Sequence, residues 1–186
     1  MNSIKIIEAI NYATTAHEGQ TRKTNGMPKI IHPYGVALIL SKYGYSEDVI
    51  IAGLLHDVIE DCKGYSSGDI TDKFGITVAK YVNDVSEPDK SLDWKTRKIN
   101  HIEHIKDACF ESKVLCAADK IHNLYSLEKD MKIQGDIIWD SFNAPKDEII
   151  WYYVSMYESI ISGYTNQKIP IFKLLHEIII SVAGEG

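Results

Sequence analysis

Between Ser46 and Cys62 the chain reads SEDVIIAGLLHDVIEDC, an apolar helical run into which His56, Asp57, Glu60 and Asp61 are set. Ser46 suits an N-cap, and Glu47 and Asp48 suit the positive end of a helix dipole, so one helix is expected from here through Asp61. Residues four apart share a face, which stacks His56 on Glu60 and Asp57 on Asp61 in neighbouring columns. The other positions, including Ile50, Ile51, Leu54, Leu55, Val58 and Ile59, are apolar almost all round. A helix of that kind is buried, and buried charge is costly unless it is paired or bound to a cation. Whatever this chain folds into must bring compensating groups, or a metal, to this edge.

Two further segments meet the requirement. IIHPYGVA places His32 directly before Pro33, a favoured first-turn residue that reads as the start of a helix running to Gly44. In CAADKIHN, Asp119 shares a helix face with His122 and Asn123, and Ala117 and Ala118 are small enough for close helix approach. His32, His56, Asp57 and Asp119 form a mixed nitrogen and oxygen donor set. Such a set suits Mn²⁺, Fe²⁺ or Zn²⁺ better than Ca²⁺, and the lack of a thiolate argues against a structural zinc. Glu60 and Asp61 are then left beside the ligands, placed to orient a water and move its proton.

Helical periodicity dominates the rest of the chain, and the expected class is all-α. A first helix covers SIKIIEAINYATTAH, and others fall at about 75–85, 92–108, 111–129, 146–162 and 168–183, with ends good to ~2–4 residues. The loop from Gly19 to His32 has room for a short β-hairpin. Nothing in the 186 residues marks a linker or repeat, so one domain over 1–186 is expected. The aromatic group Trp139, Phe142, Trp151, Tyr152 and Tyr153 reads as core. His17, His101, His104 and His176 read as surface or core-edge residues, and Cys62 and Cys116 as packing.

A net charge of −6 argues against a general nucleic-acid binder. The exception is local: TRKTNGMPK carries Arg22, Lys23 and Lys29 without an acid and invites an anionic ligand. Three cysteines without a CxxC pair fit a reducing compartment. The opening residues soon turn polar, and no apolar run is long enough for a bilayer, so a soluble cytoplasmic protein with no membrane partner is expected. The apolar C-terminal helix suits either a monomer core or a homodimer interface.

AHEGQTRKTNGMPKIIHPYGVALIL, AGLLHDVIEDC and CAADKIHNLYSL together resemble the HD hydrolase domain of RelA/SpoT-type proteins. The likeness is greatest to the stand-alone small alarmone hydrolases related to the metazoan SpoT homologue. It extends from Ala16 to Leu127, with a weaker likeness in GDIIWDSFNAPKDEIIWYYVSMYESI. The resemblance implies a helical HD bundle and Mn²⁺-dependent removal of the 3′-pyrophosphate of guanosine tetra- or pentaphosphate, leaving GDP or GTP. It implies His32, His56, Asp57 and Asp119 as metal ligands, and Glu60 and Asp61 as the acids that handle the attacking water. Arg22 and Lys23 match positions that meet the base and phosphates, and Asn123 one that contacts the nucleotide. Lys146 and Tyr152, from the weaker tail, are expected to close the far side of the pocket.

His122 stands where the family does not require histidine, and is expected to act from behind the ligands. Lys120 replaces the arginine of the long bifunctional enzymes, and Cys62 the usual threonine. Two other functions remain in view: the same machinery acting on another nucleotide, such as NADPH at its 2′-phosphate, and a catalytically silent nucleotide sensor. Synthesis of the alarmone is not expected from the matched segments.

Overall fold

Helices account for nearly all the regular structure in the residues that the computed structural model describes: 3–87, 91–164 and 168–184. In chain order they are α1 (Ser3–Ala16), α2 (Ile31–Lys42), α3 (Glu47–Leu55), α4 (Val58–Asp61), α5 (Ser67–Phe74), α6 (Ile76–Val85), α7 (Trp94–Asp107) and α8 (Phe110–Gln134). A 3-10 segment (Gly135–Ser141), α9 (Lys146–Ile161) and α10 (Pro170–Gly184) follow. No strand occurs among the described residues. The hairpin expected before His32 shrinks to one antiparallel bridge, Thr21 with Pro28. Lys29 N–H donates to the Gln20 carbonyl and Arg22 N–H to that of Met27, the two bonds that flank this single bridge.

The spine is α8. Its 25 residues span about 38 Å at 1.5 Å per residue. Every residue from Ser112 to Ile121 is buried, so this stretch is enclosed on all sides rather than amphipathic. α2, α3, α6, α9 and α10 pack around it. α3 is buried from Val49 to Leu55 and also packs on α1, α2 and α6. Close approach needs small residues at the crossings. Ala117 and Ala118 are fully buried, and a Cβ on Gly53 would lie 2.7 Å from Leu40 Cδ1.

The structure departs from the expected helix through Asp61 by dividing it. α3 ends at Leu55, and α4 begins at Val58 after His56 and Asp57. The backbone of both linking residues stays in the right-handed region, so the path turns only slightly. The cause is local. His56 Nδ1 lies 2.9 Å from the Gly53 carbonyl, the acceptor that the Asp57 N–H would use in an unbroken helix. A second departure is at α2, which starts one residue before His32. His32 thus sits inside the first turn, and Pro33 falls where a missing N–H costs nothing. α5 adds a helix to those expected from periodicity, and a reciprocal capping box between Ser66 and Asp69 starts it.

Because Ala118 lies in the enclosed part of α8, Ala118→Leu is expected to overpack the bundle and cost about 1–3 kcal/mol of stability. Urea denaturation measures this; an unchanged midpoint would mean that the helices are not closely packed at that point.

Candidate active site

Four side chains from distant parts of the chain converge where α2, the α3–α4 junction and α8 meet. His32 Nε2 is 3.1 Å from His56 Nε2 and 3.1 Å from Asp119 Oδ1. His56 Nε2 is 3.2 Å from Asp57 Oδ1 and 3.8 Å from Asp119 Oδ1. His32, His56 and Asp57 each offer one ligand atom within 4.8 Å of the others, and Asp119 joins through the two histidines. Both imidazoles are about 4 % exposed.

The proton positions explain what such a cluster demands. A carbonyl only accepts, so at His56 the N–H lies on Nδ1, toward Gly53, and the neutral ring presents a bare Nε2 to the cluster. That atom faces carboxylate oxygens and a second imidazole nitrogen, all electron-rich. Only a proton or a cation placed between them makes the arrangement favourable. Burial opposes protonation of His56, but Asp57 and Asp119 together outweigh it and raise its pKa. Burial lowers that of His32. Burial also resists ionisation of Asp57, yet His56, His32 and Lys29 draw it down to about 2. Two carboxylates kept ionised beside two imidazoles fit a divalent cation.

Asp119 has its own supports. Lys120 Nζ donates to Oδ2 at 2.6 Å, and Asn123 Nδ2 to Oδ1 at 2.6 Å. Arg22 Nη2 donates in turn to Asn123 Oδ1 at 3.4 Å. Against the burial of Asp119, Lys120 and His32 hold its carboxyl well below the usual range.

The cluster opens into a cleft of about 450 Å³ lined by residues from the basic loop, α4, α7, α8 and the segment after the 3-10 turn. Arg22, Lys23, Lys29, Lys98 and Lys120 line it beside Asp57, Glu60, Glu87 and Asp119. A larger groove of about 710 Å³ runs between α1 and α5, but among the described residues no ligand set converges there. Glu60 lines the cleft and accepts the Glu87 backbone N–H at 3.2 Å. Asp61 is joined by Lys29, whose ammonium lies 3.9 Å from Asp57 Oδ2.

Lys146 and Tyr152 do not line the cleft. Lys146 lies over the Trp139 ring at 5.5 Å. Tyr152 is buried behind Lys98, whose Nζ is 4.5 Å from its ring centre. The far wall is built instead by Trp94, Lys98 and His101 from α7, with Ser141, Phe142 and Asn143.

His101 departs from its expected surface or core-edge position: it is buried, with Nδ1 3.3 Å from the Tyr152 hydroxyl. Glu87 binds Arg97 at 2.8 Å and also Lys98. Burial opposes ionisation of Glu87, but His101 and Lys98 more than offset it and lower its pKa. The sequence carried one signal for this wall, the i,i+3 spacing of Lys98 and His101, and nothing in it tied them to Glu87. His17 is likewise buried, 3.4 Å from the Cys62 thiol, whereas His104 and His176 are exposed.

Known proteins share this arrangement of elements. The family model described as HD domain matches residues 9–147. The guanosine-3′,5′-bis(diphosphate) 3′-pyrophosphohydrolase MESH1 of Danio rerio is 39% identical over 127 residues, covering 67% of this chain and 69% of the relative. A solved structure of a metazoan ortholog of SpoT, which hydrolyzes ppGpp, superimposes with a TM-score of 0.77 at 28% identity, covering 97% of each chain. The crystal structure of lmo0812 from Listeria monocytogenes gives 0.74 at 33% identity, over 81% of this chain and 97% of that one. The chain belongs to the HD domain family.

Proposed function

We propose that this protein is a metal-dependent phosphohydrolase that removes the 3′-pyrophosphate of guanosine tetra- or pentaphosphate. The observation that carries the reading is the convergence of the His32 and His56 Nε2 atoms with the Asp57 and Asp119 carboxylates in a cleft that Arg22, Lys23, Lys29, Lys98 and Lys120 also line. The similarity to proteins named as guanosine-3′,5′-bis(diphosphate) 3′-pyrophosphohydrolases supplies the substrate class. His32, His56, Asp57 and Asp119 are the proposed ligands and Mn²⁺ the proposed ion, with Fe²⁺ and Zn²⁺ suited to the same donors.

A divalent cation held there supplies Lewis acidity toward water and phosphoryl oxygens. The chain's own residues do the rest. Glu60, lining the cleft, accepts a proton from the attacking water as the water oxygen bonds to the 3′-linked phosphorus. The bond from that phosphorus to the ribose 3′-oxygen breaks, and the 3′-oxygen takes up a proton to leave GDP or GTP and pyrophosphate. Asp61 is held by Lys29 and orients that water. Arg22 and Lys23 meet the phosphates and the purine face, the guanidinium being planar enough to stack. Asn123 turns the nucleotide while it holds Asp119. Lys98 of α7 and Lys120 of α8 line the same cleft as the loop's Arg22, Lys23 and Lys29, so a pyrophosphate is met by cations from three elements. The protein is proposed to act in the cytoplasm, where this substrate would be met.

Glu60→Gln and Asp61→Asn are each expected to cut turnover by about 10²-fold or more while bound metal persists. Pyrophosphate release and elemental analysis of the same samples check both halves; full turnover in both variants removes these acids from the mechanism. His56→Ala is expected to abolish metal retention outright, and purified variant with wild-type metal content would contradict the ligand assignment. A panel of ppGpp, pppGpp and NADPH, with and without Mn²⁺, tests the substrate. Rapid loss of phosphate from NADPH, with no pyrophosphate released from ppGpp, would transfer the machinery to a 2′-phosphate. Tight nucleotide binding without turnover of any of the three would leave a sensor.

A further inference from the structure

We propose that His122 is a positioning residue for His32, taking the Nδ1–H of that ring so that its Nε2 lone pair is left for a cation, and that Gly35 exists to give His122 room. The inference rests on the metal reading above and adds to it a residue and a cause.

Both nitrogens of His32 face α8. Nε2 is 3.1 Å from Asp119 Oδ1, and Nδ1 is 2.9 Å from His122 Nδ1. Two helical pairs produce this crossing. His32 and Gly35 are three apart on α2, and Asp119 and His122 three apart on α8, so each pair presents one face to the other. The rings of His32 and His122 meet edge to face, 4.9 Å between centres and 61° between planes.

Position alone does not make His32 a ligand. A neutral imidazole carries one N–H, and with a carboxylate 3.1 Å from Nε2 the proton would by preference lie there, closing the lone pair. An acceptor at Nδ1 gives the proton another place. His56 has such an acceptor in the backbone, the Gly53 carbonyl at 2.9 Å. His32 has none from the backbone, and the atom in that place belongs to His122. For His122 Nδ1 to accept, its own proton must lie on Nε2, at the opposite edge of the ring.

That opposite edge lies against α2. A Cβ built on Gly35 would fall 2.0 Å from His122 Cδ2 and 2.2 Å from its Nε2, far inside contact distance. The imidazole of His122 is therefore wedged between the Gly35 backbone and His32. Gly35 has no positive φ, so its backbone does not require glycine. In a helix interior glycine is less favourable than alanine, and the clearance for His122 is the reason to carry it.

The test is Mn²⁺ affinity, by chelator competition, with the rise in unfolding temperature on adding Mn²⁺ as a second readout. Phenylalanine keeps the ring and removes the acceptor, so His122→Phe is expected to weaken Mn²⁺ binding about 10–100-fold. His122→Asn, whose amide oxygen falls near the place of Nδ1, is expected to recover most of that loss. Gly35→Ala should weaken binding as His122→Phe does when His122 is present, and add nothing in a His122→Ala background. Wild-type affinity in His122→Phe overturns the proposal. So does an equal loss from Gly35→Ala with and without His122, which would assign the effect to α2 itself. If His122→Phe does not fold, His122→Asn and the Gly35→Ala pair decide alone. A wild type that binds no Mn²⁺ sinks the metal reading and this inference together, whereas normal binding that His56→Ala abolishes and His122→Phe leaves intact sinks only this one.

Discussion

The rest of the structure depends on one electrostatic conflict: two imidazole nitrogens lie 3.1 Å apart in the interior of a helical bundle, and each has a carboxylate oxygen of Asp57 and of Asp119 within 3.1–3.9 Å. Left without positive charge, that group would force the helices apart or change its protonation. The surrounding sequence reads as a set of answers to it. Lys120 and Asn123 fix one carboxylate, Lys29 lies near the other, and Gly53 orients one ring. Small residues let the helices come close enough for the cluster to form at all. Ala117 and Ala118 precede Asp119 on α8, Gly53 clears Leu40, and Gly35 clears His122. Local glycine and alanine content, unremarkable by itself, is tied to the position of four polar atoms.

How much of this could be read in the sequence follows from the range of each interaction. His56, Asp57 and Asp119 stand in apolar helical runs, where a charge is conspicuous because nothing local neutralises it, and their meeting was legible from that conflict. The same reasoning expected an unbroken helix through Asp61. It failed because periodicity does not register a ring nitrogen taking the Gly53 carbonyl, an event within one turn that costs one backbone bond and leaves the path nearly straight. The far wall failed for the opposite reason. Lys98, His101 and Glu87 lie in polar stretches, where charged residues read as surface, and only the tertiary fold brings Glu87 to Lys98. Tyr152 and Lys146 show the converse, a tail placed near the site whose side chains turn to Lys98 and Trp139 instead.

A protein of net charge −6 that accepts a polyphosphate must confine its positive charge. It does so by pairing. Lys29 is bound to Asp61, Lys98 to Glu87, Lys120 to Asp119, and Arg22 to Asn123. In each pair the cation lines the cleft. The partners hold these side chains in place before any ligand arrives, which removes much of the rotamer entropy that a phosphate would otherwise have to overcome.

Pairing also limits what the cleft will accept. A ligand with a single charge cannot compensate several buried or half-buried pairs for the loss of their partners, because each exchange gives up a charge-assisted hydrogen bond to gain one. A pyrophosphate presents several oxygens at once and can be met from the loop and from α7 together while the acids remain nearby. Lys23, exposed at the mouth, is left to guide an anion inward, an effect that salt screens over about 10 Å. The acidic surface and the cationic cleft are therefore one device. The acids that give the protein its negative charge are, within the cleft, what keeps its lysines in place.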